Sequence, residues 1–154
     1  AEAFAAAAQR FAAEIADVAS ALVPFAPDSN LVCLALNPRG NRDVAHMNAF
    51  VRRLNEELRC DPQQPLQMKE FFGSLTTLKP AVIGPADTAR VLAGLGLDAA
   101  SLGADADSDR LAILRHTLMN PFLIDHENGI SYIERYFAFL ARRVRALLAT
   151  AAPA

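Results

Sequence analysis

The chain has 154 residues, 53% of them hydrophobic and 21% charged, which suits one domain, or a domain plus an appendage, and is too apolar for a disordered segment. The net charge of -2 runs against the basic footprint of a nucleic-acid binder. No apolar run approaches the ~20 residues that span a bilayer, and Glu2, Arg10, Glu14 and Asp17 keep the start from reading as a signal-peptide core.

Residues 2–22 read as a helix, with Phe4, Phe11, Ile15, Val18 and Leu22 on one stripe and Pro24 and Pro27 to stop it. Residues 30–36 (NLVCLAL) form a short apolar run that favours a strand covered on both faces. Asn37-Pro38-Arg39-Gly40 signals a turn. Asp43 then caps a helix carrying Val44, Met47, Val51, Leu54 and Leu58. Residues 61–65 (DPQQP) are a loop, and residues 70–78 (EFFGSLTTL) a second strand, in which Gly73 marks a bulge or a close backbone approach.

Residues 85–93 read as a short helix between Pro85 and Gly94. One weak helical turn and an acidic loop follow over 97–109. Residues 111–119 are the third strand, broken by Asn120-Pro121. A final helix starts at Asn128, with Ser131 and Glu134 as a capping box and an apolar repeat from Ile130 to Leu147. Arg142, Arg143 and Arg145 sit near its end, where they suit the helix dipole. The expected fold is a two-layer α+β domain: a mainly antiparallel or mixed three-stranded sheet with helices on one face, plus an N-terminal helix.

Arg115 stands out because its third-strand surroundings are apolar and a guanidinium keeps its charge, so if buried it demands an anion. On an alternating strand it shares a face with Leu111, Ile113, Thr117 and Met119. Either it pairs with a structural carboxylate or lies at an edge, or it binds a ligand carboxylate through its fork. His116 alternates to the opposite face, where a packed or surface histidine competes with a general base. Asp105, Asp107 and Asp109 resemble the start of a calcium loop, but Arg110 and His116 stand where its glycine and glutamate belong. His46, His116 and His126 show no metal-ligand spacing, with each other or with Cys33 and Cys60. Ser74 and Ser131 lack a nucleophile-elbow context, and Gly94-Leu95-Gly96 lacks that of a phosphate loop. No catalytic constellation is complete, and no cofactor-binding or metal-binding residue is assigned.

Arg115-His-Thr-Leu-Met-Asn120-Pro121 resembles the R-x4-N-P segment in the C-terminal domain of group II pyridoxal-phosphate-dependent amino-acid decarboxylases, the glutamate, aspartate and tyrosine decarboxylase relatives. Residues 31–38 resemble the strand that opens that domain, and residues 72–80 (FGSLTTLKP) its threonine-rich strand ending in proline. The resemblance covers roughly residues 29–147. It implies that Arg115 binds the α-carboxylate of an amino-acid substrate, a group too general to say which amino acid. The family's cofactor lysine follows a histidine, whereas Lys69 follows Met68 and Lys79 follows Leu78.

Two cysteines, Cys33 and Cys60, make no disulfide framework, so a reducing cytoplasm is the expected compartment. The resemblance further implies a homodimer in which pyridoxal phosphate is held by a large domain absent from this chain, leaving this fragment alone inactive. The missing initiator Met and the alanine-rich ends suit a piece of a longer chain. Residues 1–28 are then an N-terminal helix and linker, and residues 29–150 the small domain, with an insert at 81–109. The alternative is a free-standing ferredoxin-like interaction or ligand-sensing module, and a third reading is a small hydrolase on His116 and Asp109. The first helix separates the first two: an apolar stripe left exposed or paired with another copy suits the linker, and a helix packed fully into its own domain favours the module.

Overall fold

Residues 2–22 form two elements rather than one helix in the computed structural model, which describes residues 1–27, 29–59, 63 and 70–151. Helix α1 (Glu2–Glu14) stops at Ile15, and after one turn β1 (Ala19–Leu22) pairs antiparallel with β2 (Leu31–Pro38). The helical spacing ran on to Leu22, but the open edge of β2 offers backbone partners that outweigh local propensity. The sheet therefore has four strands, ordered β1-β2-β4-β3 and antiparallel throughout, with β3 at Ser74–Leu78 and β4 at Leu111–Thr117. The α+β class and antiparallel pairing agree with the sequence.

Helix α2 (Val44–Leu58) is capped as expected, with Asp43 Oδ1 accepting from the His46 N–H at 2.8 Å. Gly73 makes the expected close approach: its N–H donates to the Leu58 carbonyl at 3.0 Å, and a Cβ there would lie 3.1 Å from the Leu58 side chain. Two helices follow β3, the short α3 (Pro80–Ile83) and α4 (Pro85–Leu95), then a 3-10 turn over Ala99–Ser101 and the acidic loop. The final helix starts later than its periodicity implied. A small hairpin of β5 (Ile124–Asp125) and β6 (Ile130–Ser131) precedes α5 (Tyr132–Ala151). Gly129 at φ 65° closes that turn, and Asp125 Oδ1 accepts from the Glu127 and Asn128 N–H groups. Ser131 still caps α5, accepting from the Glu134 N–H at 3.2 Å.

Helices α1, α2 and α5 pack together over one face of the sheet. Phe4 and Phe11 pack there at a tilt on Phe137, with ring centroids 4.8 and 5.2 Å away, and Leu34, Leu36, Leu54, Leu114 and Leu140 are fully buried. The apolar stripe of α1, which the linker reading leaves free, is thus spent inside its own domain, because α5 supplies a matching stripe. On the opposite face α4 packs against β1 and β2, where Asn37 Nδ2 donates to the Leu95 carbonyl. Cover there is partial, and the end of the sheet that holds Arg115 stays open. The loop at 61–65 lies outside the described residues except Gln63, as do Cys60 and Lys69.

Candidate functional site

Arg115 sits near the C-terminal end of β4, in a row of register partners that runs Cys33, Arg115, Ser74 across three strands. The strand is buried from Leu111 to Leu114 and then emerges, so Arg115 and Thr117 are exposed while His116 is not. Burial therefore does not force an anion on Arg115. Among the described residues nine of the thirteen arginines pair with a carboxylate, and Arg115 does not. The three late arginines of α5 pair with Glu70, Glu57 and Asp17, and Arg145 Nη2 also donates to the Glu14 carbonyl at the end of α1 at 2.8 Å.

Arg115 Nε donates to Ser74 Oγ at 3.2 Å, and Ser74 Oγ donates to the Arg115 carbonyl at 3.3 Å. Beyond this pair β3 has not begun, so β4 has no neighbour on that side. Phe71 packs there on Tyr136 and Phe139 of α5, with Phe72 next to it in the chain. The gap is a cavity of about 300 Å³ lined by Phe71, Phe72, Tyr132, Tyr136, Arg115 and His116. Its surroundings carry a concentration of exposed large apolar side chains. Phe72 and Tyr132 line it, while Met119, Phe122 and Ile124 belong to the segment that leaves β4. Asn120 caps that segment by accepting from the Phe122 N–H.

His116 faces the helices from the back of the strand. Its Nδ1 lies 3.2 Å from the Val32 carbonyl, which can only accept, so Nδ1 carries the proton and Nε2 accepts from the Tyr136 hydroxyl. Burial pulls the imidazole down to about 4 against the opposing effect of the Val32 bond, and pushes the Tyr136 phenol well up. This is a packed, neutral histidine. It does not meet Asp109, which pairs with Arg110 ahead of the other end of β4. Burial also raises the half-buried Cys33 thiol, which the Arg115 charge partly offsets.

The acidic loop spends its groups internally: Asp105 Oδ1 accepts from the Asp107 N–H, and Asp107 lies 3.7 Å from Arg52. Among the described residues no cluster of His, Cys, Asp or Glu suits a metal ion, and no helix is long and apolar enough to cross a membrane. Ser74 has no motif around it in the sequence that points to a site. The signal that finds it is the strand register, which needs the partner strand.

The arrangement offers one exposed guanidinium, steadied by a hydroxyl, beside an aromatic hollow. Such a group binds a carboxylate or phosphate and does no bond-breaking of its own. No curated protein matches the chain. Residues 4–144 match the family model described as tyrosine decarboxylase, C-terminal, a span that takes in α1 as well as the strands that carry the resemblance. The chain belongs to this C-terminal domain family of the group II pyridoxal-phosphate-dependent decarboxylases.

Proposed function

We propose that this domain presents Arg115 to an active site completed by a large pyridoxal-phosphate-binding domain of the same chain, where the guanidinium holds the carboxylate of an amino-acid substrate. The observation that carries this reading is an exposed arginine with no carboxylate partner among the described residues, at the mouth of an aromatic cavity. The exposed Phe72, Met119 and Phe122 around it suit a surface that the large domain covers. The family's printed name makes tyrosine one candidate substrate, and the full-length enzyme would be a cytoplasmic homodimer.

The family implies pyridoxal phosphate, but the described residues here do not fit it. Among the described residues no lysine or carboxylate lines the cavity. Lys79 follows Leu78, the register partner of Leu111, and so lies at the far end of the sheet from Arg115. The role left to this chain is to bind and orient. The domain alone is therefore proposed to be inactive. Arg115→Ala in the holoenzyme should lower kcat/KM about 100-fold or more, as loss of a charged hydrogen-bonded pair costs about 3 kcal/mol. Near-normal turnover would remove Arg115 from the site.

The packing of α1 into its own core is what a free-standing module would also show. A native gene product of 16.6 kDa would favour that second reading, and a several-fold larger chain the first.

A further inference from the structure

We infer that Ser74 is a positioning residue that selects which edge of the Arg115 guanidinium the substrate carboxylate meets. The inference rests on the carboxylate-binding reading of Arg115. A guanidinium offers a carboxylate two bidentate edges, one using Nε with a neighbouring Nη and one using both Nη atoms. Ser74 Oγ has a single hydrogen, which it gives to the Arg115 carbonyl at 3.3 Å. Its lone pairs are then free to accept, and one takes the Arg115 Nε–H at 3.2 Å.

The hydroxyl is thus pinned by the backbone of the residue whose side chain it holds. Nε is consumed, and the Nη1–Nη2 edge is what remains for a ligand. On the other flank Cys33 provides only a weak sulfur acceptor, so Ser74 alone of the two neighbours in the row fixes the fork. A long side chain with its rotamer set beforehand loses less freedom when the carboxylate arrives. The strand register sets this up: Ser74 is the first residue of β3, and the cavity opens immediately beyond it.

The test uses the holoenzyme and separates the carboxylate from the rest of the substrate. Ser74→Ala should raise KM for the amino acid about five-fold, about 1 kcal/mol by RT ln, with kcat changed by less than about two-fold. The Ki of the product amine, which lacks the carboxylate, should not move. Ser74→Thr keeps a hydroxyl and should restore KM. An unchanged KM in Ser74→Ala, or a KM and amine Ki that rise together, overturns the inference. Arg115→Lys in the same assay tells the two failures apart. If it leaves KM unchanged, the carboxylate reading has failed and takes this inference with it. If it raises KM while Ser74→Ala does not, only the role of Ser74 is lost.

Discussion

His116 accepts a hydrogen bond at Nε2 from the buried hydroxyl of Tyr136, so the strand that exposes Arg115 on one side is tied through the next residue to α5 on the other. The bond requires a neutral imidazole whose proton sits on Nδ1. Burial holds the folded-state value at about 4, below the usual 6.5. The unfolded chain therefore takes up a proton first as the pH falls, and stability present above pH 6.5 is lost between 6.5 and 4. The loss should reach about 3 kcal/mol in urea unfolding. His116→Leu should be less stable at neutral pH, because Tyr136 loses its acceptor, but its stability should fall far less over that window.

Phe11 is 1% exposed and packs on Phe137 with centroids 5.2 Å apart. Phe11→Ala should cost about 3–5 kcal/mol, measured as a shift of the denaturant midpoint at constant slope. A change below about 1 kcal/mol would mean that α1 is an appendage rather than part of the core.

Asn48, on α2, is fully buried and makes three bonds of 2.7 Å: Nδ2 donates to the Asp107 and Arg110 carbonyls, and Oδ1 accepts from the Ala112 N–H. It fixes where the acidic loop ends and β4 begins. That start sets the register that places Arg115 opposite Ser74, and a one-residue slip would turn Arg115 to the other face. Asn48→Ala should cost about 2–4 kcal/mol by orphaning a buried N–H and two carbonyls. Asn48→Asp should be worse, since a carboxylate oxygen would face the two carbonyls. Thermal melts of both variants check the order.

Phe122 is 75% exposed and contributes little to the domain's own core. Phe122→Asp should leave the melting temperature within a few degrees yet loosen the docking of this domain in the holoenzyme, read as faster amide hydrogen exchange over residues 119–124. Unchanged exchange there would move the covered surface elsewhere.

Helix α2 and its Asp43 cap were legible in the sequence, because cap and periodicity are local signals. So was the strand that carries Arg115, with His116 on its reverse. Strand β1 was not: Val18 and Leu22 fit a helical stripe as well, and only the distant edge of β2 decides between the two. The hairpin before α5 was hidden for a similar reason, since Ile130 falls in phase with the helix and the turn at Gly129 closes only when β5 and β6 pair. Helix α4 was legible between Pro85 and Gly94, but not its place on the opposite face of the sheet. Ser74 needed the pairing of β3 with β4, which strand signals alone do not give.

The central claim is that the Arg115 guanidinium holds a substrate carboxylate in the assembled enzyme. The most direct measurement compares inhibition of the holoenzyme by a non-reacting amino-acid analogue and by its methyl ester, in wild type and in Arg115→Ala. The wild type should prefer the acid by about 100-fold, and Arg115→Ala should bind acid and ester about equally. A preference for the acid that survives in Arg115→Ala would contradict the account.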